Sequence, residues 1–517
     1  MTGAPADHHD YVVVGGGTAG CVLAARLTED PRTSVLLIEA GGDERRPDVE
    51  SPEQWPALLG SDADWGFETV RQPGTGRTCL AARGRVLGGS GSINNMVHLR
   101  GHAADFDGWA EDGAHGWEHA RVLPYFRRSE DVPDGDPRYR GRGGPLHPRP
   151  SGTSDPVGLR FAEGARRAGH EQVADLNGAA MLGVGFPDAL IVRDRRESTA
   201  SAYLRPAMDR PNLTVRQHAA VRRLRIDGGR CTGVEYHRDG TRQLATAASE
   251  VVLCAGAVGS PHLLLLSGVG PADELSALGI EPAVHAPEVG HNLQDHPLLA
   301  GIRYRAERPL PPEYLRPAAT LLARSDPDSA APDLHVTAAG MDFHYEWQEP
   351  FPNSITFAVG LMRTRSRGTV RLGSADPDRP PVIDPRYLSD PADVAVLAAG
   401  IGLVEEIVAT GVFDEWGGRS ESTALLRLGR DGLERAVRDA TGSYFHLAGT
   451  CRMGSDTGAV VDPQLRVAGV HGLRVADASV MPTLVSCNPN AATVMIAEKA
   501  ADLLRGRETG GDDDIDT

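Results

Sequence analysis

The 517-residue sequence predicts a mixed α/β fold (α+β, two domains), and three observations carry that reading. A strand, a glycine turn, a helix and a second strand follow one another at the start of the chain. A strand running into a glycine turn and a helix recurs near residues 250–266. Beyond it, residues 301–439 change texture, becoming rich in proline and arginine with short strand-like runs.

Tyr11–Val14 is a β-branched run suited to a buried parallel strand. Gly15-Gly16-Gly17-Thr18-Ala19-Gly20 follows, then Cys21–Leu27, rich in helix formers. Asp30-Pro31 ends the helix, because proline cannot continue it and restricts the residue before it. Ser34–Ile38 is a second apolar strand, leading to Glu39-Ala40 and Gly41-Gly42. This is the order of a Rossmann-like βαβ unit. Asn212–Gln217, Ala220–Ile226 and Thr232–His237 read as strands, with a turn at Asp227-Gly228-Gly229, and suit antiparallel strands inserted into the same domain. Glu250–Cys254 is another buried strand, leading through Ala255-Gly256 into a leucine-rich helix. Ser354–Val359 and Thr369–Leu372 read as strands, and Ala392 to about Thr410 as a helix. The expected division assigns 1–155, 190–300 and 440–509 to a discontinuous nucleotide-binding domain. Residues 156–189 and 301–439 form an antiparallel-sheet substrate domain, and 510–517 a disordered acidic tail.

The glycines of the first turn have separate tasks. Gly15 permits the sharp turn, Gly17 lets a pyrophosphate approach the backbone, and Gly20 lets the helix pack on the strand. The helix N-terminus offers unpaired N–H groups and partial positive charge to phosphates. Glu39, 19 positions after Gly20, can accept hydrogen bonds from ribose hydroxyls. This pattern alone does not separate NAD from FAD. Its place at the start of a long chain is common in flavoproteins whose FAD domain is completed by later segments. A second run of small residues, Arg83 to Asn95, supports FAD, since its backbone can lie against a large flat ligand.

Composition excludes several classes. Apolar residues at 40% and charged residues at 24% are ordinary globular usage, which excludes a wholly disordered, collagen-like or coiled-coil chain. A net charge of −17 repels phosphate backbones, so no nucleic-acid role is expected. Lys499 is the only lysine and sits in an expected surface helix, which removes Schiff-base chemistry. The six cysteines are scattered and read as small buried hydrophobes, not a disulfide framework, and no metal site is expected. No basic-then-apolar leader is visible, and the longest apolar stretch, Val258–Val269, is too short to span a bilayer. The expectation is a soluble cytoplasmic protein with no transmembrane segment, and the arginine-for-lysine bias points to a GC-rich bacterial genome.

Several stretches together resemble the glucose–methanol–choline (GMC) oxidoreductases. The first signature is matched by Gly84–Asn94, and a second by Gly256–Pro261 running to Gly270. Val289–His296 is similar to another recurrent family stretch. The C-terminal match runs through His446–Gly454, Val461-Asp462-Pro463 and Leu473–Ser479 to Asn488-Pro489-Asn490. The resemblance implies bound FAD, with Glu39 on the adenosine ribose, Val221 at the adenine region and Asp477 and Ala478 near the ribityl and pyrophosphate part. The expected cofactor contacts are Gly15, Gly17, Thr18, Ala19, Gly20, Glu39, Ala40, Arg85, Gly88, Gly89, Ser90, Asn94, Asn95, Met96, Val97, Val221, Ala255, Gly256, Asp477, Ala478, Asn488 and Pro489. Where some members carry a flavin-linking histidine, this sequence has Ile93, which implies non-covalent FAD.

The resemblance implies oxidation of a primary or secondary alcohol to the carbonyl, with His446 as catalytic base and Asn488 as hydrogen-bond partner. Asn490 is the alternative for the second position, since the spacing of Asn488-Pro489-Asn490 invites a two-residue register error. The expected partners are a small-molecule alcohol and an electron acceptor, oxygen or a redox protein. The same fold hosts hydroxynitrile lyases, in which FAD does no net redox chemistry, and that is the alternative class. Among the other histidines, His291 and His296 are expected to play structural parts near the flavin, while His102, His115 and His119 read as surface positions. Phe343–Trp347 is an aromatic cluster that suits either the pocket or ordinary packing. The Arg193–Arg196 run reads as a solvated face.

Overall fold

The computed structural model describes residues 7–345 and 348–507, so the expected acidic tail and residues 346 and 347 of the aromatic cluster lie outside the described residues. Two seven-stranded sheets organise the chain. In the first, β1 (Asp7–Val14), α1 (Thr18–Leu27) and β2 (Val35–Ile38) form the expected βαβ unit, with β1 and β2 parallel from Tyr11–Val35 to Val14–Ile38. β3 (Leu213–Arg216) extends the sheet beyond β2 in parallel. β4 (Ala219–Asp227), β5 (Arg230–Arg238) and β6 (Thr241–Leu253) form an antiparallel meander. The far half of β6 turns to parallel pairing, with β1 on one side and β7 (Leu473–Val475) on the other. α2 (Gly256–Leu266) follows β6, and α3 (Asn490–Leu504) packs on α1.

These elements form for readable reasons. Val35–Ile38 is buried at every position, as a parallel strand covered on both faces demands. α1 and α3 are almost wholly buried, which their runs of alanine and other small residues permit. Gly20 is required: a Cβ there would meet the Gly15 carbonyl oxygen at 1.9 Å. Gly15 itself sits at φ +100°, and a Cβ would meet the Cys254 oxygen at 2.5 Å. The turn, α1 and the end of β6 therefore approach as closely as backbones can.

The second sheet is antiparallel, in the order Arg419–Ser420, Pro297–Arg305, Ser354–Leu361, Leu334–Ala339, Thr320–Ala323 and Gly183–Gly185. Thr441–Ser443 pairs with Pro297–Leu299, so the two ends of the expected 301–439 segment reach a few residues further in each direction. The helix Pro391–Val408 packs on this sheet. It starts with Asp390 capping the Ala392 N–H and proline in its first turn, and buries Val394, Leu397, Ile401 and Val404 on one stripe. The sheets have separate apolar cores. One includes Val12, Leu36, Val252, Val475 and Met495, and the other Phe161, Ile302, Phe357, Leu397 and Phe413.

Three surface expectations are corrected. Lys499 is 9% exposed, because its face of α3 lies against Trp117 and Tyr125: its ammonium sits 4.6 Å above the Trp117 ring and donates to the Gly116 carbonyl. Arg196 is 7% exposed, while Arg193 and Arg195 face solvent. His115 is exposed, but His102 and His119 are half-buried, His102 capping the following helix through its side chain. The six cysteines are all buried and free, as expected. Among the described residues no group of metal-ligating side chains occurs, and no helix is long and apolar enough to cross a membrane.

Substituting Gly20→Ala forces the Gly15 turn off its position. We expect a stability loss of about 3 kcal/mol or more, at the upper end for overpacking. Denaturant unfolding would show it. An unchanged midpoint would mean that this approach is not a constraint on the fold.

Candidate active site

A cavity of about 680 Å³ runs from the start of α1 to the segment around His446. At one end, Gly17 caps α1 with no side-chain hydrogen bond, leaving the first-turn N–H groups to a ligand. A Cβ on Gly17 would come no closer than 3.8 Å to any other group, so its missing side chain leaves open room. Glu39 lines the same stretch and accepts from the Gly16 N–H at 2.8 Å and the Gly41 N–H at 2.7 Å. Burial pushes its carboxyl up to about 7, against the opposing pull of the Gly41 and Gly16 N–H groups. Asp477 also lines the cavity and is held by the Gly256 N–H at 2.9 Å, Ser260 Oγ at 2.6 Å and the Ser479 N–H at 2.8 Å. A narrow, glycine-floored groove with an uncapped helix start and two buried carboxylates fits an elongated dinucleotide such as FAD.

All the expected cofactor residues line this cavity except Gly20 and Gly88. Gly20 is spent on the contact with Gly15, and Gly88, at φ +84°, makes the turn behind Gly89. Ile93 lines the wall at the position expected for a flavin-linking histidine. Sequence reasoning missed Arg83, Tyr444, Phe445 and Leu298 as lining, along with Trp55, Trp65 and Phe67, and left Phe343 open between pocket and packing. Arg83 and Phe445 adjoin motif residues, a signal within reach. Leu298 and the tryptophans carry none, because only the fold brings them near. Arg196 was missed as a support: its guanidinium donates to the Asn94 carbonyl and to Asn94 Oδ1 at 3.0 Å. Carbonyls rather than a carboxylate hold it, and burial lowers it to about 9.

The far end is built on Asp295. Its carboxylate accepts from the His446 backbone N–H at 2.7 Å, the Ser443 hydroxyl at 2.6 Å and the Tyr387 hydroxyl at 2.5 Å. Phe445 takes a left-handed backbone, φ 64°, which for a bulky residue persists only when its surroundings fix it. Here the Ser443 hydroxyl accepts from its N–H and Arg83 donates to its carbonyl. That kink sets His446 beside Asn488, with Nε2 3.1 Å from the Asn488 Nδ2. On the other side His446 Nδ1 lies 2.9 Å from His296 Nδ1, and the Tyr444 ring stacks on the imidazole at 4.5 Å. Burial holds His446 well below the ordinary histidine value, and His296, Arg83 and His335 push the same way. Asn488 Oδ1 is buried without a hydrogen-bond partner. Asn490, the register alternative, lies elsewhere: its Oδ1 accepts from the Thr18 hydroxyl at 3.0 Å, at the α1 end of the cavity.

Comparison with known proteins agrees with this architecture. A family model described as GMC oxidoreductase matches residues 9–298, and a second with the same description matches residues 364–497. The mitochondrial choline dehydrogenase of Homo sapiens is 39% identical over 98% of this chain and 92% of its own. The crystal structure of pyridoxine 4-oxidase from Mesorbium loti superposes with a TM-score of 0.91 at 35% identity, covering 95% of this chain and 98% of that one. An Aspergillus oryzae RIB40 formate oxidase, studied for FAD modification in an R554K variant, gives 0.89 at 28% identity, covering 97% and 99%.

The raised Glu39 value fixes the sign of a pH effect. Ribose hydroxyls bound at Glu39 would need its ionised carboxylate, so below about pH 7 the groove would have to release a proton on binding FAD there. We expect the FAD dissociation constant to rise several-fold, at most about tenfold per pH unit, as pH falls from about 7 to 6. In Glu39→Gln that dependence disappears and binding is weaker throughout. Flavin-fluorescence titration at two pH values tests it, and identical pH dependence in both proteins would remove Glu39 from this role.

Proposed function

The chain belongs to the GMC oxidoreductase family, and from that premise we propose that it oxidises a primary or secondary alcohol to the carbonyl. The observation that carries the proposal is the His446–Asn488 pair at one end of a cavity whose other end fits a dinucleotide. His446 is the base and Asn488 the hydrogen-bond partner. The Asn488 amide N–H can only donate, so it meets the lone pair of His446 Nε2. That lone pair is what a substrate hydroxyl needs as a proton acceptor. Asn488 has an unspent oxygen and a second amide hydrogen with which to orient the substrate, and it does not titrate. Bound FAD supplies the acceptor for the hydride that leaves the carbinol carbon as the C=O bond forms. The hydroxyl proton goes to His446, whose burial keeps it neutral and ready to receive it.

FAD is held non-covalently, on the strength of Ile93 in the wall. Acid precipitation would leave a colourless pellet and a yellow supernatant. The acceptor for the second half-reaction is oxygen or a redox partner.

The substrate end also favours a class of alcohol. Leu298, Phe343, Tyr444 and Phe445 line the wall near His446, together with the Arg83 guanidinium. The acidic lining residues are committed elsewhere: Glu39 and Asp477 to backbone N–H groups, Asp378 to Arg222. Among the described residues a cationic substrate therefore meets no free carboxylate there, and the pocket suits an uncharged alcohol with an apolar or aromatic body.

Anaerobic mixing with a panel of alcohols, following the flavin absorbance, tests the reading. Bleaching by uncharged aryl or alkyl alcohols, with a quaternary-ammonium alcohol at least tenfold poorer in kcat/KM, is the expected result. Aldehyde release from a cyanohydrin without bleaching would point to the lyase class instead. His446→Ala should lower flavin reduction by orders of magnitude with FAD retained. Asn488→Ala should cost roughly 10²–10³-fold, as for loss of an oxyanion donor. Near wild-type reduction by His446→Ala would refute the assignment.

A further inference from the structure

His446 touches a second imidazole, and the mechanism above gives it no task. His296 is wholly buried, and its Nδ1 stands 2.9 Å from the His446 Nδ1. The ring planes cross at 89°, so the contact is edge-on and not a stack. Two imidazole nitrogens at that distance need one proton between them. Its place follows from the other contacts of each ring. The Asn488 amide donates to His446 Nε2, so in the neutral ring the proton must be on Nδ1. Nδ1–H then donates to His296 Nδ1. His296, itself neutral because burial lowers it to about 3, must carry its proton on Nε2. His296 Nε2 is buried without a hydrogen-bond partner among the described residues, so the assignment rests on the contacts of His446 with Asn488 and His296. The reverse order would turn Nε2–H of His446 toward the substrate and leave it no lone pair to offer.

We propose that His296 is a positioning residue that fixes His446 in its Nδ1–H tautomer and orientation, keeping Nε2 unprotonated as the base. The proposal rests on the reading of His446 given above. It also assigns His296 a part in the reaction: when Nε2 takes the substrate proton, the imidazolium keeps its Nδ1–H donated to His296. The backbone supports the arrangement at both ends, since Asp295 accepts from the His296 N–H at 2.8 Å and from the His446 N–H at 2.7 Å. One carboxylate thus holds both rings from behind. The other titratable groups facing the pair are His335, Arg83 and Tyr444.

The test uses the FAD-loaded enzyme with ¹⁵N-labelled histidine. The His446 nitrogens are identified by difference from His446→Asn. In the wild type Nδ1 is expected to be protonated and Nε2 bare. In His296→Leu that tautomer is expected to be lost. Anaerobic flavin reduction should fall by about 10²-fold or more, as when a base loses the partner that sets its tautomer, with FAD content unchanged. His296→Gln keeps a carbonyl that can accept from Nδ1–H and should reduce flavin at least tenfold faster than His296→Leu. A wild-type His446 protonated on Nε2 overturns the proposal, even if neither variant folds. So does an unchanged tautomer in His296→Leu, or equal rates in the Leu and Gln variants. A wild type that no alcohol reduces would sink the functional reading instead, and the nitrogen signals would still decide the tautomer.

Discussion

One short parallel pairing makes a single site out of the two ends of this chain. Val251, Val252 and Leu253 align with Leu473, Arg474 and Val475, and the sheet of the first domain is completed by a strand more than two hundred residues away. The segment from His446 to Asn490 is thereby folded back over the glycine turn. Asp477 then seals the join by accepting from Gly256 and Ser260, at the start of the helix that follows β6. Asn490 reaches Thr18 across 472 residues. A base at one end of the chain and a phosphate-binding turn at the other can share a cavity only because these few backbone bonds hold.

The imidazole end obeys a different economy. Two histidines, an asparagine and a carboxylate are buried together, and burial of each polar group costs free energy unless a partner satisfies it. Asp295 meets that demand by serving two backbone N–H groups and two hydroxyls at once. The kink at Phe445 is tolerated for the same reason, being tied down on both sides. Asp295 is thus well supplied with donors, while Asn488 Oδ1 and His296 Nε2 are buried without a hydrogen-bond partner among the described residues.

What the sequence made legible was local. The βαβ unit, its glycines and Glu39 lie within about thirty residues, and the structure places them in the expected order, with β1 starting at Asp7 rather than Tyr11 and α1 at Thr18 rather than Cys21. In the second domain the strand from Ser354 and the helix from Pro391 were readable, whereas Pro297–Arg305, Thr320–Ala323 and Leu334–Ala339 were not. Features decided by distant chain were not. Arg196 stands in a charged run that looks solvated, yet its guanidinium is pulled inward to the carbonyls of Val49 and Asn94. Lys499 has the surroundings of a surface helix in sequence but lies against aromatic rings from another. The choice between Asn488 and Asn490, two residues apart, turns on which way the chain enters α3. His296 was read from its polar loop as a structural histidine near the flavin, and its contact with His446, 150 positions away, is visible only in the fold.

The burial of Lys499 and of all six cysteines has a practical consequence. The side chains that amine- and thiol-directed reagents attack are almost absent from the surface, though arginine, aspartate and glutamate cover it. Such a protein is nearly silent to the commonest conjugation chemistries. A single cysteine engineered onto an outer loop would therefore be the one exposed thiol, an address for a dye, an electrode tether or a cross-linker without first removing a native cysteine.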